Sequence, residues 1–143
     1  MEAKIVLSGD GQNLNVLGDN QLLKLTSDDT NGAYTLVEQV NSVGTGIPLH
    51  IHNNEEETFF IIEGKYEFKV EGELVAAPAG TTVHLPRGVA HEFKVVEGSP
   101  ARALIWLCPA GGEKMFQELS ALPIPPDMAQ VVSTCAISGV IFL

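Results

Sequence analysis

Apolar and polar residues alternate in short runs along the first 107 residues of the chain, and turn-forming residues separate the runs. The clearest run covers residues 65–70, where three charged side chains alternate with Tyr, Phe and Val. A period of two places the apolar side chains on one face of a strand and the charged ones on the other. The pattern predicts strands at residues 14–17, 21–26, 33–40, 58–62, 65–70, 73–77, 81–85, 90–96 and 101–107.

The pattern changes after a Pro-Ala-Gly-Gly segment at residues 109–112. Residues 113–119 have the spacing of an amphipathic helix. Asp127 is predicted to cap a second helix, which ends at Gly139, and residues 140–143 are predicted to add a last strand. The side chains expected to pack against the strands are Met115, Phe116 and Leu119 from the first helix, and Met128, Val131, Val132 and Cys135 from the second.

Short strands with no helices between them favour an all-β sandwich or barrel. A chain of 143 residues is expected to form one domain, here residues 1–143. We expect a barrel core over about residues 30–108 and a helical tail over about residues 112–143. The tail is interpreted as a lid or packing element and not as a second domain.

The net charge of −10 comes from 18 acidic and 8 basic residues, and the basic residues are scattered singly. Nucleic-acid binding needs clustered Lys and Arg, so nucleic acid is not an expected partner. The first residues lack the basic start of a signal peptide, and their apolar run is short. Neither a secretory segment nor a membrane span is predicted, and the cytoplasm is the default location. Cys108 and Cys135 are isolated in apolar surroundings and are predicted to be buried thiols.

Three of the four histidines and one glutamate form a set that can hold a divalent metal. His50 and His52 share one face of a strand, about 6.6 Å apart, so both can reach one ion. The Asn-Asn pair that follows has turn chemistry, which would bring Glu57 back beside them. His91 begins a further strand. Imidazole nitrogens and a carboxylate oxygen suit divalent Fe, Mn, Ni, Cu or Zn, so we expect one such ion per chain.

Polar neighbours of this set have two interpretations each. Glu55 and Glu56 lie next to Glu57 in sequence, and a three-residue spacer after His52 would make Glu56 the ligand, but a solvated acidic turn is favoured for both. His84 could face the pocket as a proton relay, but a surface or packed histidine is favoured. Arg87 precedes His91 in a loop and could touch an anionic substrate, whereas an exposed turn arginine is the simpler interpretation.

Glycine and proline residues frame the metal-ligand candidates in a family-specific way. Residues 44–64 fit G-x5-H-x-H-x4-E-x6-G at every fixed position, and residues 80–95 fit G-x5-P-x-G-x2-H-x3-N except for Val95 at the last position. These segments resemble the two motifs of the cupin family, and the whole chain is similar to small single-domain cupins described as quercetin-dioxygenase-like. The final Asn is not a metal ligand in cupins. Its replacement by Val95 therefore affects the expectation for a local strand contact and not the expectation for the metal.

The resemblance implies a double-stranded β-helix, or jelly roll, with short C-terminal helices. It also implies that the metal lies inside the barrel and that the protein is a homodimer. The residues that it assigns as metal ligands are His50, His52, Glu57 and His91.

Strand alternation places apolar side chains on the metal side, at Phe59, Ile61, Phe93 and Val95. They suit a hydrophobic or aromatic small-molecule substrate, although such residues also simply fill a small barrel. Similarity to quercetinase-like cupins implies a mononuclear-metal oxygenase in which Glu57 is both a ligand and the catalytic base. Two alternatives stay open, namely an oxygen-independent metal isomerase or lyase and a non-catalytic small-molecule-binding protein.

Overall fold

Nine antiparallel strands form one curled sheet within residues 2–143, and two helices precede its last strand. The computed structural model describes residues 2–143. In chain order the elements are β1 (Gln12–Val16), β2 (Asp19–Leu25), α1 (Ser27–Thr30), β3 (Thr35–Asn41), β4 (Gly46–His52), β5 (Glu56–Val70), β6 (Glu73–Pro78), β7 (Thr82–Leu85), β8 (His91–Cys108), α2 (Glu113–Ser120), α3 (Met128–Ile137) and β9 (Val140–Phe142).

Strand β8 is the centre of the sheet because it pairs with three other strands. On one side its first half pairs with β4 and its second half with β3, while β5 pairs with it along the other side. The order β1-β2-β3-β8-β4-β9 continues the sheet, and β5 also carries β6 and β7. This curled antiparallel arrangement with C-terminal helices confirms the predicted all-β jelly-roll class.

Two pairs of predicted strands are each one long strand. Strand β5 covers residues 58–62 and 65–70, and β8 covers the predicted strands at 90–96 and 101–107 except for residue 90. The pairing of β5 with β8 shifts register around Gly64, which has a φ of 77°. A bulge at such a residue bends a strand without ending it, because glycine tolerates positive φ. The turn-forming residues between these predicted strands therefore mark bends within long strands and not strand ends.

The interior is built from aromatic and aliphatic side chains of the long strands. Phe59, Tyr66, Phe68 and Phe93 are buried, and the rings of Phe59 and Phe68 meet edge to face with centroids 5.0 Å apart. Such contacts add to the free energy of burial. This aromatic core fills the space beside the candidate ligands.

The helical tail closes one side of the sheet. Helix α2 buries Met115, Phe116 and Leu119, as its spacing predicted. The prediction for α3 was wrong in part: Val131 and Cys135 are buried, but Met128 and Val132 are 60% and 48% exposed. All four side chains lie on one helical stripe at i, i+3, i+4 and i+7, but only Val131 and Cys135 reach the core.

Short segments complete the chain. Residues 27–30 form α1 where a turn was expected, and β9 confirms the predicted last strand. Cys135 is buried as predicted, whereas Cys108 is only half-buried. None of the helices within residues 2–143 has the length and apolarity that crossing a bilayer requires.

Candidate metal centre

The three histidines and the glutamate predicted as ligands lie together inside the curled sheet. His50 and His52 lie near the end of β4, Glu57 near the start of β5 and His91 at the start of β8. His50 and His91 are direct cross-strand partners. All four side chains are buried, with exposed fractions between 1% and 6%.

The chain reverses between His52 and Glu57, as the Asn-Asn pair predicted. The bend is held from outside, because the Asn53 amide donates to the Gly139 carbonyl and the Asn54 side chain donates to the Ser138 carbonyl. Both acceptors belong to the turn between α3 and β9. The helical tail therefore fixes the bend that returns Glu57 toward the histidines.

One donor atom from each residue points to a common centre. The Nε2 atoms of His50 and His52 are 3.1 Å apart, and His91 Nε2 is 3.2 Å from Glu57 Oε1. His52 Nε2 is 3.9 Å from Glu57 Oε2. The four residues each offer one nitrogen or oxygen atom such that all four atoms lie within 4.8 Å of one another.

The outward nitrogen of each ring is bound by an atom that can only accept a hydrogen bond. His50 Nδ1 is 2.7 Å from the Pro48 carbonyl, and His91 Nδ1 is 3.0 Å from the Val89 carbonyl. His52 Nδ1 is 2.8 Å from Glu55 Oε1. Each Nδ1 must therefore carry the proton and donate it, which leaves the lone pair on Nε2 in the neutral ring.

Burial and neighbouring charges shift the pKa values of three of these four groups in different directions. Burial lowers the pKa of His50 to about 4, and neighbouring His91 adds to this effect. Burial would also lower the pKa of His52, but the carboxylates of Glu57 and Glu55 outweigh burial and raise it. Burial would raise the pKa of Glu57, yet His52 and His91 hold it at about 2. Glu57 is therefore ionised at neutral pH.

These donor atoms fit a divalent cation. Neighbouring ligand atoms around a first-row ion at about 2.1 Å are about 3 Å apart, which matches the 3.1 and 3.2 Å separations. Among residues 2–143, His91 Nε2 has no hydrogen-bond partner although it is buried. The Nε2 atoms of His50 and His52 also face each other, 3.1 Å apart. A cation between these atoms would satisfy them all, and nitrogen with one carboxylate suits first-row transition metals.

Glu55 is a functional residue that the sequence interpretation missed. A solvated turn was expected, but Glu55 is only 6% exposed and holds His52. Partners of this kind orient ligating histidines and raise their basicity. Glu56 and Arg87 are exposed, as favoured. His84 is also exposed and bonds Thr58 Oγ1 through Nδ1 at 2.8 Å, which supports the surface interpretation.

A cavity of about 50 Å³ adjoins three of the four candidate ligands, His50, His52 and Glu57, and is also lined by aromatic residues. Phe59 and Phe93 line it as the alternation predicted, whereas Ile61 and Val95 are packed in the core beside it. A water molecule needs about 10–15 Å³ of such space. The cavity can therefore hold an ion together with a small group.

A wider apolar groove of about 660 Å³ lies next to this cavity. Leu17, Leu119 and Phe142 line both spaces, so these three side chains lie between the groove and the cavity. Met128 and Val132, the side chains of α3 that do not pack inward, form part of its wall. Their exposure thus follows from the open groove.

Comparison with known proteins places this architecture in a family. Residues 38–108 match the cupin domain, and this span contains all four candidate ligands. The chain belongs to the cupin superfamily, as its two motifs predicted.

Individual relatives are distant. The chain is 26% identical over 66 residues to quercetin 2,3-dioxygenase of Bacillus subtilis, a match that covers 46% of this chain and 20% of that enzyme. It thus spans only a fifth of that relative's length. A crystal structure of a predicted oxalate decarboxylase from Thermotoga maritima aligns with a TM-score of 0.66 at 20% identity, over 74% of this chain and 99% of that one. The polyketide cyclase RemF from Streptomyces resistomycificus aligns with a TM-score of 0.64 at 20% identity, over 75% and 80% of the two chains.

Proposed function

We propose that this protein is a mononuclear-metal oxygenase, similar to quercetinase, that acts on a small hydrophobic or aromatic substrate with a hydroxyl or enolisable oxygen. The observation that carries the proposal is the buried set of three imidazoles and one carboxylate beside a cavity that is partly lined by aromatic side chains. The sequence similarity to quercetin 2,3-dioxygenase adds support over the matched segment.

Each ligand residue has a distinct role in this proposal. His50, His52 and His91 hold the ion through Nε2, and their Nδ1 partners keep the rings fixed. A bound divalent ion supplies a Lewis acid that polarises a substrate oxygen, and a redox-active ion also exchanges electrons with oxygen. Glu57 Oε1 or Oε2 accepts the proton of the substrate hydroxyl, because the carboxylate is ionised and faces the cavity.

The walls of the two neighbouring spaces support an apolar substrate. Phe59 and Phe93 line the cavity, and the groove beyond it is lined mainly by Leu, Ile, Pro, Met and Val. A volume of about 660 Å³ lies in the range of small-molecule sites. The described residues of both linings include no Lys or Arg, which argues against a sugar phosphate as substrate.

The first experiment tests metal binding. Protein purified without chelator is analysed for metals, and its thermal unfolding is then followed as Fe, Mn, Ni, Cu or Zn is added. A specific ion at 100 times its Kd should stabilise the fold by about 2.7 kcal/mol. His91→Ala should abolish this stabilisation, whereas His84→Ala should keep it because His84 is exposed and outside the cluster. Equal stabilisation of both variants would refute the site.

The second experiment tests the reaction. Oxygen uptake is measured for each reconstituted metal form with a flavonol, a β-diketone and a catechol. We expect uptake with at least one substrate, and loss of uptake in Glu57→Gln at full metal loading. Product formation under anaerobic conditions would instead favour an isomerase or lyase, and retained ligand without turnover would favour a binding protein.

A further inference from the structure

A second polar cluster lies inside the curled sheet, away from the metal ligands. Its members are Asp19 and Gln21 on β2 and Gln39 and Asn41 on β3, and each is at most 4% exposed. Asp19 accepts three hydrogen bonds, from Gln21 Nε2 at 2.9 Å, Gln39 Nε2 at 2.7 Å and Asn41 Nδ2 at 2.6 Å. Since an ionised carboxylate can only accept, these contacts fix which end of each amide faces Asp19.

The opposite end of each amide is an oxygen that needs a donor. Asn41 Oδ1 accepts from the Asn20 backbone amide at 2.8 Å, and Gln39 Oε1 accepts from the Tyr66 hydroxyl at 3.2 Å. Gln21 Oε1 is buried and has no donor anywhere in residues 2–143. Buried acceptors are almost always paired, so this oxygen calls for a partner from outside the chain.

The unpaired oxygen belongs to a residue that lines the metal-facing cavity. Asp19, Gln21 and Gln39 share this cavity with His50 and Glu57. The cavity therefore has two polar regions, one made by the candidate ligands and one made by the amide cluster. Apart from Cys135, the other residues that line the cavity are apolar, and none of them supplies the missing donor.

We propose that Gln21 Oε1 is a substrate-binding acceptor that recognises a hydroxyl or N–H group of a ligand. Asp19 acts as a positioning residue, because it holds the Gln21 amide so that the oxygen is presented to the cavity. This inference rests on the proposed function, which places another oxygen of the same substrate at the metal centre. The preferred substrate class is then a hydrophobic ring or chain with two separated polar groups, such as a dihydroxylated aromatic.

The test compares phenols that differ by one hydrogen-bond donor. Resorcinol and 3-methylphenol form one pair, and hydroquinone and 4-methylphenol form the other, since methyl and hydroxyl are similar in size. Binding to the Co(II)-loaded protein is followed without oxygen, through the visible absorption of the ion and by calorimetry. No turnover is needed, so failure of the oxygenase proposal would not affect the result.

Gln21→Met is the test variant and Gln39→Met is the matched control. Both lose one amide donor to Asp19, but only the first removes the unpaired acceptor. In the wild type, at least one dihydroxy ligand should bind more tightly than its methyl partner. The ratio of these two affinities measures the contribution of the second hydroxyl. Gln21→Met should reduce that ratio about tenfold, while Gln39→Met should preserve it. A merely structural role would weaken both ligands of a pair equally and leave the ratio unchanged.

Three results would overturn the inference. These are an unchanged ratio in Gln21→Met, an equal loss of the ratio in Gln39→Met, and a wild type that binds none of the phenols. A wild-type crystal structure with resorcinol or hydroquinone tests the same point without any variant. The hydroxyl should lie within about 3 Å of Gln21 Oε1. A tightly held water that stays on this oxygen in the complex would also overturn the proposal.

Discussion

Replacing Glu55 with alanine tests whether this carboxylate prepares His52 to bind a metal. Glu55 Oε1 is 2.8 Å from His52 Nδ1, and the side chains are only 8% and 6% exposed, so water neither screens nor replaces the contact. The substitution leaves a buried N–H unpaired and frees the ring to turn or to change tautomer. Loss of such a partner typically lowers metal affinity about 10–100-fold, or about 1.4–2.7 kcal/mol.

The assay is competition for Zn(II) between the protein and a chromophoric chelator at pH 7. Glu55→Ala should lose affinity within that range, and Glu55→Gln should lose less because its amide oxygen can still accept from Nδ1. Glu56→Ala is the matched control, since Glu56 is the next residue and is exposed. Wild-type affinity in Glu55→Ala, or an equal loss in Glu56→Ala, would refute the reasoning.

Three further predictions concern stability, each measured by urea unfolding. Glu113 accepts from Ser27, Thr35 and Gly111, and although burial would raise its pKa, the bonds from Ser27 and Thr35 lower it to about 2. The stabilisation by ionised Glu113 is thus present above the unfolded pKa near 4.5 and is lost as the pH falls toward 2. Glu113→Gln should therefore cost roughly 2 kcal/mol of unfolding free energy at pH 7 and little at pH 2. A cost that does not change with pH would contradict this. Gly64→Ala should cost at least about 3 kcal/mol, because the new Cβ would collide with the Glu97 carbonyl and lie 2.8 Å from Ala101 Cβ. Gly72→Ala, with a similar φ and open space, should cost about 1 kcal/mol, and equal costs would refute the steric argument. Phe59→Ala should cost about 3–5 kcal/mol and Phe60→Ala less than about 1 kcal/mol, since the two side chains are 1% and 38% exposed.

Local rules were sufficient for the short-range features of this protein. The period of two identified the strands, and it placed His50 and His52 on one face because neighbouring side chains on a strand alternate sides. The turn after His52 and the buried face of α2 also followed from local residue chemistry. The motif pattern named His50, His52, Glu57 and His91, and the structure brings these four together.

Features that depend on contacts between distant segments could not be predicted in this way. Glu55 looks like part of an acidic turn, and its burial depends on how the bend packs beneath the turn before β9. Asp19 looks like a turn residue in the sequence, although it is buried on the same face of β2 as Gln21 and Leu23. Asp19 and Gln21 come together with Gln39 and Asn41 only through the β2–β3 register.

The sequence by itself thus determined the strands, the family and the candidate ligands, since these depend on residue type and spacing along the chain. Only the tertiary structure decided which polar groups are buried, how Met128 and Val132 come to line a groove, and that the oxygen of Gln21, a residue of the cavity lining, has no hydrogen-bond donor within residues 2–143. The physical reason is that burial and hydrogen-bond satisfaction are set by strands far apart in sequence. A strand's own pattern fixes which way a side chain points but not what it meets there.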